Sequence, residues 1–138
     1  MARLLFLAGA LLFSLLGIAH AVLTLRDLRG PRSFAPVDDR VRQAMVEARL
    51  RLAPTTTIWK SWVGFNLSHS LGLIVFGGLL TGLAWRNFAL VAQSASLQTS
   101  AIVVAVLYCW MAIRYWFWVP AVLSAGGAAC FLISALAG

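Results

Sequence analysis

The sequence predicts an all-α protein, a bundle of four transmembrane helices with a short amphipathic interfacial helix between the first and second. Three features carry that expectation. Of the 138 residues, 62% are hydrophobic and only 11% are charged, far more apolar than a soluble domain of this size sustains. The apolar residues gather into runs of about 20, the length that crosses roughly 30 Å of hydrocarbon. The charges are concentrated, with eight of the eleven Lys and Arg residues and all four acids lying from Arg26 to Lys60. Four spans and one polar loop occupy residues 1–138, so a single integral membrane domain is expected.

The first span is expected over residues 4–25, which contain no Lys, Arg, Asp or Glu and run into the basic stretch "RDLRGPR". A secretory signal is the rival reading, because Arg3 gives a positive start and "AHA" at residues 19–21 has a small-x-small pattern. The apolar run is longer than a signal core and meets a dense positive flank, which favours a retained helix.

Residues 26–57 form the polar loop. Within it, "VDDRVRQAMVEARLRLAP" at residues 37–54 brings Val41, Met45, Ala48 and Leu52 back at intervals of four, three and four, with arginines over much of the remaining surface. Asp38 suits the N-cap and Pro54 the stop. Such a helix either lies on the membrane surface or is solvated and packs against the ends of the bundle.

The second span is expected over residues 58–84, with Thr55, Thr56 and Thr57 offering N-caps, Trp59, Lys60 and Trp62 at its entry and Trp85 with Arg86 at its exit. A connection containing "QSASLQTS", residues 93–100, leads to a third span over residues 99–115. The turn "RYWFWVP", residues 114–120, then opens the fourth span over residues 120–137, with Pro120 suited to a first helical turn. No internal repeat suggests an inverted-repeat transporter.

Charge bias predicts the orientation. The first loop with Arg114 carries nine basic residues, against Arg3 and Arg86 on the other face. The long loop is therefore expected in the cytoplasm and both termini on the non-cytoplasmic side. The formal charge of +7 borders apolar spans, so anionic lipid headgroups are the expected counter-charge, and no nucleic acid is expected.

The second span also holds unusual residues for hydrocarbon. Gly64, Ser68 and Gly72 repeat every four residues, Gly78 and Gly82 follow, and the fourth span has Ala121, Ala125 and Ala129. Small residues at this spacing let a neighbouring helix approach closely. Asn66, His69 and Ser70 stand beside the first stripe and need partners that lipid cannot supply, so they are expected to point inward. At 1.5 Å per residue, His20 and His69 lie on the order of 9 and 14 Å from their loop-side ends. Tyr108, Arg114 and Tyr115 come from the end of the third span on that side. His20, Asn66, His69, Ser70, Tyr108, Arg114 and Tyr115 therefore form a candidate ligand-binding set.

Each member has a structural alternative. A neutral histidine bonded to Asn66, a serine or a backbone carbonyl needs no ligand. Arg114 suits a snorkelling role and the turn aromatics an interfacial belt. Cys109 and Cys130 stand alone in apolar segments, as packing residues do. His20 and His69 are the only histidines, hence the only pair for bis-histidine haem b ligation. A quinone is the other redox ligand such a pocket would take. Close-spaced zinc ligands are lacking. The four acids sit in the loop, so neither a Ser-His-Asp arrangement nor the buried carboxylate of small proton-coupled exporters is expected. No metal site, resident cofactor or catalytic residue is predicted.

The segments "TTTIWKSWVGFNLSHSLG" (residues 55–72), "FAPVDDRVRQAM" (residues 34–45) and "RYWFWVP" resemble a group of small bacterial four-helix integral membrane proteins without established function. The resemblance covers most of the chain. It implies four spans in a bacterial cytoplasmic (inner) membrane and supplies no site residues. Three functions follow as expectations: a non-enzymatic membrane component that self-associates or serves as a subunit of a membrane complex, a binder of a lipid-like or redox ligand, and a small transporter.

Overall fold

The computed structural model describes residues 1–137, in the order α1 (Ala2–Arg29), α2 (Asp39–Glu47), α3 (Ile58–Arg86), α4 (Phe88–Gln93), α5 (Ala95–Tyr115) and α6 (Trp118–Leu136). The fold is all-α, and α1, α3, α5 and α6 are long and apolar enough to cross a membrane. At 1.5 Å per residue, the 28 residues of α1 and 29 of α3 reach about 42–44 Å, beyond the roughly 30 Å of hydrocarbon. The 21 residues of α5 and 19 of α6 match it closely.

Side-chain caps mark the starts of four helices. Asp38 accepts from the Arg40 N–H at 2.8 Å, Thr57 from Lys60 at 3.2 Å, Asn87 from Leu90 at 3.2 Å and Ser94 from Leu97 at 3.3 Å. Each bond occupies an amide that the first turn leaves without a helical acceptor. The caps also explain departures from the sequence expectation. Residues 88–93 form α4, and α5 begins at Ala95 rather than Thr99, because Asn87 and Ser94 each start a helix. The Gln98 side chain bridges the two by donating to the carbonyls of Val91 and Ala92 at 3.2 and 2.9 Å. Helix α2 stops at Glu47, well before Pro54. Ala48 turns extended, and the chain pairs back on itself through Leu50 N–H to Thr56 O and Ile58 N–H to Ala48 O.

The chain divides into two compact units. The first comprises Met1–Leu16 and the chain from Leu73 onward. All four long helices contribute to it, around a cluster of aromatic rings. Phe131 of α6 lies 4.9 Å from Phe6 and 6.2 Å from Phe13 of α1, and Phe13 lies 5.1 Å from Phe76 of α3 and 5.8 Å from Tyr108 of α5. Phe13 and Phe131 are stacked and the other three pairs are tilted or edge-on, arrangements that suit the ring quadrupoles. Glycines make the approach possible. A methyl group on Gly77 would stand 2.5 Å from the Ala10 carbonyl oxygen, one on Gly127 2.6 Å from the Phe13 ring and one on Gly9 2.9 Å from the Phe131 ring. The ends of this unit are tied by Ser134 Oγ donating to Ala2 O at 2.9 Å and by Arg3 donating to Trp85 O at 2.7 Å.

The second unit, Gly17–Gly72, contains the later turns of α1, the polar loop with α2, and the first turns of α3.

Candidate functional site

The polar residues of the second unit form one buried cluster. His20, Thr24 and Asp27 occur at i, i+4 and i+7 on α1, the spacing that stacks side chains on one helical face, and all three are buried. Asn66 and Ser70 face them from α3 and are each 1% exposed. His20 Nε2 and Asn66 Oδ1 are 2.9 Å apart. The Asn66 amide nitrogen donates to Trp62 O at 2.8 Å, so its oxygen is the acceptor and His20 Nε2 carries the hydrogen. Thr24 Oγ1 donates to His20 O, and Ser70 Oγ donates to Asn66 O, at 2.9 and 2.8 Å. These groups find partners without water, as hydrocarbon surroundings require.

His69 meets His20 edge to face, with ring centroids 5.1 Å apart, and Phe65 lies 6.2 Å from it. Phe34 stacks on His20 at 4.5 Å. Phe34 comes from the loop, and Asp27 holds it there. One carboxylate oxygen accepts the N–H groups of Arg32 and Ser33 at 3.0 and 2.8 Å, and the other accepts that of Phe34 at 2.6 Å. The Trp62 indole adds a bond to Phe34 O at 3.2 Å. A carboxylate receiving several amides in succession is an efficient way to fix a tight turn, since each bond to a charged acceptor is stronger than a neutral one.

Sequence reasoning put Asp27 in the loop, but it belongs to α1 and is 5% exposed. The chain therefore does hold a buried carboxylate. The i, i+4, i+7 series from His20 was the signal that would have found it. Thr24, Phe34 and Trp62 were likewise missed as members of the cluster.

Of the seven candidate ligand-binding residues, the structure brings together His20, Asn66, His69 and Ser70. Tyr108, Arg114 and Tyr115 belong to the first unit. Tyr108 packs on Phe13 in its aromatic core, and the Arg114 guanidinium lies over the Tyr115 ring at 5.3 Å, an arrangement in which ring and cation attract.

The volume beside the cluster limits its chemistry. Thr24, Asp27, Phe34, Trp59, Trp62, Val63 and Asn66 line a cavity of about 10 Å³, room for about one water molecule. Pockets for quinone-sized molecules run to roughly 300–1,000 Å³. Axial haem ligands must stand on opposite faces of a macrocycle, whereas His20 and His69 touch each other and Phe34 covers His20. The arrangement does not fit a haem between them. Among the described residues, no group of three or more His, Cys, Asp or Glu side chains gathers to hold a metal ion.

The small residues are distributed differently from the polar ones. Among the described residues, no side chain or distant backbone lies within 4 Å of where a methyl group on Gly64, Gly78 or Gly82 would project. Ser68, Gly72, Ala125 and Ala129 are exposed as well. Ala121 is half-buried, and its carbonyl accepts from Cys109 Sγ at 3.7 Å. The glycines used inside the first unit are Gly9, Gly77 and Gly127, outside the spacings that sequence singled out.

No family model matches the chain, and no curated protein or solved structure matches it either.

Proposed function

We propose that this chain is a non-enzymatic integral membrane protein that associates with further copies of itself through the open small-residue face of α3. The observation that carries the reading is the contrast between adjacent glycines. Gly77 is filled by α1, whereas Gly78 and Gly82, one turn apart, face nothing among the described residues. Glycine in a helix interior costs roughly 0.5–1 kcal/mol relative to alanine, and in membranes this spacing serves close helix association. The buried polar cluster, bonded within the chain beside a cavity of about 10 Å³, supports a structural role over ligand binding.

The location proposed with this reading is a bacterial cytoplasmic membrane. It rests on the likeness of residues 55–72 to small four-helix bacterial proteins and on the basic loop for orientation, with the loop inside and both termini outside. An accessory-subunit role in a larger membrane complex is the neighbouring possibility, because the same face would then meet a different helix.

Cysteine cross-linking tests the choice. In a full-length chain carrying Cys109→Ala and Cys130→Ala, oxidation of Gly78→Cys or Gly82→Cys in vesicles is expected to join two copies. Val106→Cys, exposed on α5, serves as the control. Equal cross-linking at all three positions, or none at any, would contradict specific self-association through α3.

A further inference from the structure

We propose that α2 is a lipid-docking helix that lies on the membrane beside the entry of α3, its apolar face in the acyl boundary and its arginines on anionic phospholipid headgroups. None of its residues is buried; Val41 is 49% exposed, Ala44 is exposed and Met45 is half-buried, so the described residues leave much of its apolar face open. At about 100° per residue, Val41, Ala44 and Met45 occupy one side of the helix. Arg40 borders that side along one edge and Arg42 along the other. Asp39 and Gln43 occupy the opposite side together with Val46, and Glu47, bonded to Gln43, lies next to Arg40. An apolar strip with an arginine on each edge, Arg42 also pairing with the exposed Asp39 at 3.4 Å, matches an interface in which hydrocarbon lies below, phosphates at the edges and water above. The flanking Val37 and Leu52 are almost fully exposed too.

A second observation sets the height of this helix. Ala48, the C-cap of α2, accepts the N–H of Ile58 at 3.0 Å, and Ile58 is the first residue of α3. Trp59, Lys60 and Trp62 follow within the next turn, residue types that settle at headgroup level. The end of α2 is thereby tied to a point where a membrane span begins. A water-soluble partner would have to compete with a bilayer already within reach of the apolar strip. The excess of arginine over acid in the loop adds attraction to anionic lipid, worth about a fivefold population change per basic residue near such a surface.

The test uses spin labels at Val41→Cys, Met45→Cys and Gln43→Cys in the full-length Cys109→Ala/Cys130→Ala chain. The vesicles contain phosphatidylcholine either alone or mixed with phosphatidylglycerol. Oxygen partitions into hydrocarbon, and a nickel chelate stays in water. In the mixed vesicles, labels at positions 41 and 45 are expected to show an oxygen-to-nickel collision ratio severalfold above that at position 43. The docked-to-undocked ratio should fall about fivefold for each of Arg40→Gln and Arg42→Gln, and further in pure phosphatidylcholine. Equal nickel access at all three positions would overturn the proposal in favour of a solvated helix. Shielding of positions 41 and 45 from both probes would overturn it in favour of a protein partner, including a second copy. An unchanged pattern without phosphatidylglycerol or without the arginines would overturn the headgroup assignment.

Discussion

His20 Nε2 and Asn66 Oδ1, 2.9 Å apart, join α1 to α3 through a hydrogen bond whose direction is set by a third residue. Because the Asn66 amide nitrogen is committed to Trp62 O, His20 is held as the donor. Substituting Asn66→Ala leaves the imidazole N–H without this acceptor in an apolar setting. The expected loss is about 1–2 kcal/mol, seen as a lower unfolding temperature in detergent. The double variant His20→Leu/Asn66→Leu should recover much of it, because both ends of this bond are then removed together. Equal destabilisation in the single and double variants would show that packing volume, and not the bond, is what matters.

Asp27 should govern the order of the turn after α1. Asp27→Ala removes the acceptor of three successive amides. At about 1.5–3 kcal/mol for a bond to a charged group, amide exchange at Arg32, Ser33 and Phe34 should speed up by at least about tenfold. Exchange at Leu97, whose amide is held by Ser94, serves as the internal reference. Unchanged exchange at the three loop amides would mean that the carboxylate does not hold the turn.

The two adjacent glycines of α3 should respond in opposite ways. Gly77→Ala pushes a methyl group against the Ala10 carbonyl oxygen, and overpacking of this kind costs about 1–3 kcal/mol. Gly78→Ala meets nothing among the described residues and should be neutral or gain up to about 1 kcal/mol of helix propensity. Unfolding temperatures in detergent under dissociating conditions separate the two. Matching losses would show that the packing described around Gly77 is wrong.

The four spans were legible because hydrocarbon imposes a run length, and a run length can be read without knowing any contact. Asn66 and His69 were legible for a related reason, since a polar side chain in such a run must turn toward protein. Asp27 was not, because "RDLRGPR" looks like a basic loop until the helix is seen to continue to Arg29. Its partners are backbone amides, which have no identity in a sequence. Helix α4 was hidden similarly, its Asn87 cap being indistinguishable from a loop asparagine. Glycine spacing identified places for close approach but could not say whether the neighbour belongs to the same chain. Gly77, overlooked beside Gly78, packs within the chain, while Gly78 is open.

Counting subunits by single-molecule photobleaching in lipid vesicles tests self-association most directly. The wild-type chain is expected to bleach in more than one step per assembly. Gly78→Leu/Gly82→Leu, at positions where an added Cβ meets nothing among the described residues, is expected to bleach in one step while keeping its unfolding temperature in dissociating detergent. Single-step bleaching of the wild type at every protein-to-lipid ratio, or unchanged stoichiometry in the leucine variant, would contradict assembly through α3.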